Sequence, residues 1–83
     1  MATSLRYVGA ARLCPMTGGY DVASLHLQVR RFENDFGFSP HICSVRGEQE
    51  PVVGAAEQLG LAVEISDAVR PGHYMLQGVQ RKE

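Results

Sequence analysis

Residues 21–37, DVASLHLQVRRFENDFG, form the most regular stretch of this 83-residue chain. Its apolar residues follow one another at spacings of three and four, which places them on one stripe of an α-helix: Val22, Leu25, Val29, Phe32 and Phe36. Asp21 has the side chain of an N-cap residue, and Gly37 suits the left-handed conformation that ends many helices. The stretch therefore predicts an amphipathic helix with one face turned toward a core.

The segments around this helix alternate between strand and helix patterns. In chain order they predict a strand at 5–14, a strand at 41–47, a helix at 50–60, a strand at 61–65 and a strand at 73–80. Pro51 suits the first turn of the second helix, where a missing N–H costs nothing. Pro71 and Gly72 predict a turn, so the last strand can pair back on the preceding one as an antiparallel hairpin.

The order β-α-β-α-β-β predicts an α/β (α+β) fold. Because each helix has one apolar stripe, we expect a two-layer sandwich with both helices on one face of a four-stranded mixed sheet. The two helical crossovers can join parallel strands in the usual right-handed sense. A chain this short rarely divides its core, so residues 1–83 are expected to form a single domain. The other face of the sheet is expected to be partly solvated.

Charge and composition limit the partners and the compartment. Eight Lys and Arg against nine Asp and Glu give a net charge of −1, without the excess positive charge that a nucleic-acid surface uses, so nucleic acid is an unlikely partner. No run of about 18 apolar residues is present, so no membrane span is predicted. The N-terminal stretch lacks the layout of a secretory signal, and we therefore expect a cytoplasmic protein.

The cysteine and histidine pattern predicts no metal site. In the cytoplasm Cys14 and Cys43 are expected to be thiols, and they do not form a CxxC pair. The three histidines have no ligand-like spacing and are expected to be solvated or locally hydrogen-bonded: His26, His41 and His73. No cofactor is expected. The sequence also contains no recognisable catalytic triad and leaves open whether the chain is an enzyme.

Residues 11–21, ARLCPMTGGYD, contain the candidate reactive residue, Cys14. Together with the strand and helix order around it, the RLCPM stretch resembles the TusA/SirA family of small sulfur-carrier proteins. The resemblance implies a βαβαββ sandwich with a Cys-Pro-x-Pro motif at the end of the first strand, read here as Cys14, Pro15, Met16 and Thr17. Thr17 stands where that motif has its second proline. The implied partners are a protein that donates sulfur and a protein that accepts it.

In this interpretation Cys14 carries the sulfur as a persulfide. Attack requires the thiolate, so its sulfur should reach solvent beside unpaired amides or cations that lower its pKa. Arg12 lies two residues away on the same strand face and can help to hold the charge. Pro15 can pre-set the turn so that the next amides point outward, and the Thr17 hydroxyl can hydrogen-bond the sulfur. The opposing interpretation is a small buried residue, because cysteine is strongly enriched in cores, and this preference also favours a core position for Cys43.

Two other functions stay open. The first is a non-catalytic α/β module that binds protein or RNA, with the open sheet face as its contact surface. The second, more remote, comes from residues 4–40, whose LRY, GGY and GFS stretches look faintly like part of a MerR-type transcription regulator. The DNA-entering helix that precedes this region in that family is absent from the sequence.

Overall fold

The structure is a computed structural model that describes residues 6–16 and 22–82. It contains six elements: β1 (Arg6–Pro15), α1 (Val22–Phe36), β2 (His41–Ser44), α2 (Glu50–Leu59), β3 (Val63–Ile65) and β4 (His73–Lys82). The two helices and the four-stranded mixed sheet confirm the predicted sandwich. In the described part of the chain, no helix has the length and apolar character needed to cross a lipid bilayer.

The sheet has the order β1-β4-β2-β3. In this order β4 is not a neighbour of β3, whereas the predicted hairpin would pair these two strands. β4 pairs antiparallel with both β1 and β2, whereas β3 pairs parallel with β2 at the edge. The prediction that the last strand pairs back on β3 is therefore wrong. β4 is ten residues long and buries Tyr74 and Leu76, so it belongs at the centre, while β3 has three residues and leaves Ile65 36% exposed.

The crossovers follow from the same order. The connection through α2 joins the parallel neighbours β2 and β3, as predicted. The connection through α1 joins β1 to β2, but β4 lies between them. Both β1 and β2 run antiparallel to β4, so they still point in the same direction.

α1 turns the predicted stripe toward the sheet. Leu25, Val29 and Phe32 are buried, and the stripe becomes more exposed at its C-terminal end, at Phe36. Gly37 follows with a φ of 83°, in the left-handed region, and its N–H donates to the carbonyl of Glu33. The predicted C-terminal end of the helix is therefore confirmed, whereas the predicted cap Asp21 lies outside the described residues.

α2 ends in the same way. Gly60 has a φ of 70°, and its N–H reaches the carbonyls of Ala56 and Glu57. The buried residues Val52 and Ala56 lie on the predicted apolar face, and Leu59 on that face is half-buried. The buried side chains of this helix, Val52, Ala55 and Ala56, join the core cluster that also contains residues of α1.

The two faces of the sheet are chemically different. The core lies on the helix face and includes Cys14, Ile42, Tyr74 and Leu76 from the strands. Because side chains alternate along a strand, their sequence neighbours point to the opposite side. We call that side, which no helix of residues 6–16 and 22–82 covers, the open face. Its described side chains include Leu13, His41, Cys43, Glu64, Met75, Gln77 and Val79.

Candidate functional site

Cys14 lies at the end of β1, on the helix face. It is 3% exposed and belongs to the core cluster together with residues of α1 such as Leu25 and Phe32. Its Sγ makes a weak hydrogen bond, 3.9 Å long, to the carbonyl oxygen of Arg12. The expectation that this sulfur reaches solvent is therefore wrong, because its place in the strand alternation turns it toward the helices.

The surroundings of Cys14 act on its pKa in opposite directions. Burial raises the pKa of the thiol, because a thiolate loses its hydration there. A hydrogen bond from Tyr74, its register partner on β4, and the charge of Arg12 lower the pKa again but do not cancel the effect of burial. The net direction is upward, so the thiol stays protonated near neutral pH.

Arg12 is held by α1 rather than by the thiol. Its guanidinium forms an ion pair with Asp35 and lies 5.6 Å from the centre of the Phe36 ring. The predicted location of Arg12 on the face of Cys14 agrees with these contacts. Its effect on the sulfur is electrostatic and secondary, because its donors are directed at a carboxylate on the helix.

The segment after Cys14 does not provide the first predicted free amide. Pro15 is exposed and ends β1, and the N–H of Met16 donates to the carbonyl of Gly72 at 2.9 Å. That hydrogen bond continues the pairing of β1 with β4 by one residue. Thr17, the fourth residue of the motif, lies outside the described residues.

β1 also forms an edge of the sheet. It pairs with β4 over ten residues, and among the described residues no strand lies on its other side. The small residues Gly9 and Ala11 lie in the middle of this edge. A long edge strand with unpaired backbone groups is a template for a further strand, and proteins usually shorten or block such edges.

The open face brings together three side chains that the sequence analysis did not connect. His41 and Cys43 are two residues apart on β2, and Glu64 lies opposite Cys43 on β3. One ligand atom from each of the three lies within 4.8 Å of the others. The His-x-Cys spacing in a predicted strand was the available local signal, but Glu64 joins it only through the pairing of β2 with β3.

Cys43 is buried, as expected, but on the open face. It is 1% exposed, and its Sγ lies 3.2 Å from Oε1 of Gln77 and 4.0 Å from Oε2 of Glu64. Burial raises the pKa of this thiol, and the nearby charge of Glu64 raises it further. Its surroundings are therefore polar, unlike those of Cys14.

Comparison with known proteins adds no relative. No protein-family model matches the sequence, no curated protein matches it, and no solved structure matches its fold. The resemblance to sulfur carriers therefore stays a prediction that rests on the four residues Cys14 to Thr17 and on the order of strands and helices.

Proposed function

We propose that this chain is a protein-binding module whose contact region is the outer edge of β1, and that its ligand is an extended strand of another protein. The observation that carries the proposal is the ten-residue strand paired on one side only in the described structure. Strand addition of this kind gives affinity through main-chain hydrogen bonds and specificity through alternate side chains.

The backbone pattern supports the proposal by showing which groups are free to bind. In an antiparallel pair, alternate residues direct their N–H and C=O groups toward the neighbour. The hydrogen bond from Met16 to Gly72 follows the register of β1 and β4, so even-numbered residues of β1 bond to β4. Odd-numbered residues, including Gly9, Ala11 and Leu13, therefore direct their backbone groups outward.

The side chains beside this edge suit an apolar partner strand. Leu13 is 45% exposed on the open face, and Val79, which pairs with Gly9, is 60% exposed. A strand added next to β1 would cover part of Leu13 with its own open-face side chains. Gly9 and Ala11 are small, so they leave room for larger side chains on the incoming strand.

A proline substitution at the edge tests the proposal. Ala11→Pro removes one outward N–H and no hydrogen bond to β4, whereas the matched control Ala11→Val keeps that N–H. Each variant is first shown by circular dichroism to be folded, and then used to retain binding proteins from the cells that make the chain. We expect a protein that the original chain and Ala11→Val retain but Ala11→Pro does not.

Hydrogen exchange on the isolated complex locates the contact. The amides of Gly9, Ala11 and Leu13 should exchange more slowly in the complex than in the free chain. Equal retention by Ala11→Pro and Ala11→Val, or unchanged exchange at these amides, would contradict strand addition. The retained protein can also be a second copy of this chain. Light scattering will then show a mass that rises from that of one chain to that of two as the concentration increases, and the proposal of a different partner protein is wrong.

A sulfur carrier acting through Cys14 is the second candidate. It is supported by the hydrogen bond from Tyr74 and the charge of Arg12, which both favour the thiolate, and it is opposed by the burial of the sulfur. The test is incubation with a sulfane-sulfur donor, whose outer sulfur passes to the Cys14 thiolate while the donor's own sulfur leaves as a thiol, followed by intact-mass measurement. One added sulfur that is lost in Cys14→Ala and kept in Cys43→Ala would support the carrier. If no sulfur is added to Cys14, the carrier is ruled out and the binding module is the remaining proposal.

A cytoplasmic location is part of the same proposal. Both cysteines of the chain are free thiols, which is the usual state in a reducing compartment. Localisation of a tagged full-length chain by microscopy would test this point.

A further inference from the structure

The open face holds a group of side chains that strand addition at β1 does not use. His41, Cys43 and Glu64 lie on β2 and β3, near the edge of the sheet that is opposite to β1. They offer an imidazole nitrogen, a thiol sulfur and a carboxylate oxygen. This mixture of donors is typical of Zn²⁺ and similar transition-metal ions, and not of Mg²⁺ or Ca²⁺, which prefer oxygen alone.

The geometry points to a site for one thiophilic divalent transition-metal ion, of which Zn²⁺ is the type, bound by His41, Cys43 and Glu64. The register of the parallel pair places Cys43 and Glu64 directly opposite each other, and the strand alternation places His41 on the same face. Rigid strands thus hold the three side chains side by side without help from a loop.

The contact between His41 and Glu64 is short but badly directed for a hydrogen bond. Nε2 of His41 lies 2.9 Å from Oε2 of Glu64, yet this buried nitrogen makes no hydrogen bond with acceptable direction. Ligand atoms that each lie about 2.0–2.2 Å from one Zn²⁺ are themselves separated by about 3.4 Å at the tetrahedral angle that Zn²⁺ usually adopts. The two atoms lie about 0.5 Å closer than this, a difference that a small rotation of the largely exposed Glu64 side chain would supply.

Cys43 gives the same indication from a different contact. Its Sγ lies 4.0 Å from Oε2 of Glu64, so the sulfur and the carboxylate face the same small space between β2 and β3. A divalent ion in that space would attract both the sulfur and the carboxylate. On binding, the S–H bond breaks, the proton goes to solvent and the sulfur bonds to the metal, while the metal releases a bound water.

Gln77 is the positioning residue of this site. Its Oε1 accepts from the Cys43 thiol at 3.2 Å, and Gln77 is the register partner of His41 on β4. When the sulfur is ionised, the same amide can rotate to donate an N–H to it. Such partners of a ligand commonly change metal affinity by about 10- to 100-fold.

Access and coordination leave one position for an outside ligand. A depression of about 420 Å³ lies beside the site and is lined by His41, Ala62, Val63 and Glu64. Zn²⁺ usually takes four ligands, so three protein ligands leave a position for water or for a group of a binding partner. Glu64 is 66% exposed in its side chain, which leaves it free to adjust to the ion.

Titration of the full-length chain with Co²⁺ tests the site, because a Co²⁺–thiolate bond gives a charge-transfer absorption in the near ultraviolet. We expect this absorption in the original chain, and we expect it to disappear when Zn²⁺ displaces Co²⁺. It should be absent in Cys43→Ser. Cys14→Ala is the matched control: it removes the other cysteine, on the helix face, and should leave the absorption unchanged. Gln77→Leu should weaken Co²⁺ binding by about tenfold or more and keep the absorption.

His41→Gln and Glu64→Gln keep the test decisive if Cys43→Ser does not fold, because both side chains are partly exposed. Each should weaken Co²⁺ binding at least tenfold, because losing a ligand should cost no less than losing a residue that only hydrogen-bonds to a ligand. Absence of the absorption in the original chain, its persistence in Cys43→Ser, or unchanged affinity in either glutamine variant would overturn the site. Ala11→Pro should bind Co²⁺ normally, so failure of the strand-addition proposal leaves this result unaffected.

Discussion

Two glycines on neighbouring strands test the register and the facing of β1 and β4, on which the strand-addition proposal depends. A Cβ at Gly78 would lie 2.6 Å from Cε2 of Phe38 and 3.3 Å from the backbone oxygen of Ser39. At Gly9 the nearest atom would be the Gly78 oxygen, 4.0 Å away. The same substitution by alanine therefore meets a packed ring on the helix face and open space on the open face.

The magnitudes follow from these distances. Carbon atoms in contact lie about 3.5–4.0 Å apart, so the Phe38 ring would have to move by about 1 Å, while the Ser39 carbonyl belongs to the backbone that leads into β2. We expect Gly78→Ala to lower the free energy of unfolding by about 1–3 kcal/mol, as overpacking does. Gly9→Ala should raise it by about 0.5 kcal/mol, because alanine loses less conformational entropy on folding.

Urea unfolding followed by far-ultraviolet circular dichroism measures both variants. A small domain has an m-value of about 1–1.5 kcal/mol/M, so the two midpoints should differ by at least about 1 M. A Gly78→Ala midpoint equal to or above that of Gly9→Ala would refute the reasoning. It would mean that Gly78 does not face Phe38, and the assignment of outward-pointing backbone groups on β1 would then fail with it.

Three further changes test the core, the thiol and the ion pair. Leu76→Ala should cost about 2–5 kcal/mol in urea unfolding because Leu76 is fully buried, and Leu13→Ala about 0.5 kcal/mol because Leu13 lies on the open face. Since burial raises the pKa of Cys14, the unfolded state releases that proton first, so unfolding free energy should fall above about pH 8.5 and fall less in Cys14→Ala. Asp35→Asn should cost at most about 1 kcal/mol, and the cost should shrink with added salt. Arg12→Ala should cost more, because the guanidinium also lies over an aromatic ring of α1.

The helices could be predicted closely because their signals are local. The spacing of apolar residues in α1 and the glycines at positions 37 and 60 act within a few residues, and the observed ends fall at Phe36 and Leu59. Strand existence was predictable for the same reason. The order of the strands in the sheet was not predictable from local signals. It depends on which strand can pair on both of its edges and also bury residues on the helix face, and β4 does so with Tyr74 and Leu76.

The facing of Cys14 shows what a short motif omits. The sequence indicates a cysteine before a proline at the end of a strand, and both observations hold. Whether the sulfur reaches solvent depends on which face of the sheet its position in the strand points to. Arg12 and Cys14 both point to the helix face; the thiol lies in the core, and the longer arginine reaches the edge of the core. Arg12 and Cys14 thus differ in exposure although they lie on the same face, because the guanidinium extends to Asp35 and the thiol stays among core residues.

The open-face cluster illustrates the complementary limit. The pattern at each position taken alone predicts a solvated or locally hydrogen-bonded His41 and a core Cys43. Residues two apart on a strand share a face, so the two side chains lie together. Glu64 stands 21 positions after Cys43 and meets it only because α2 returns the chain to form a parallel neighbour in that register. A β4 inserted between β2 and β3 instead would have separated these donors by a whole strand. The chemistry of the open face therefore depends on the strand order, the property of this fold that local sequence patterns express least.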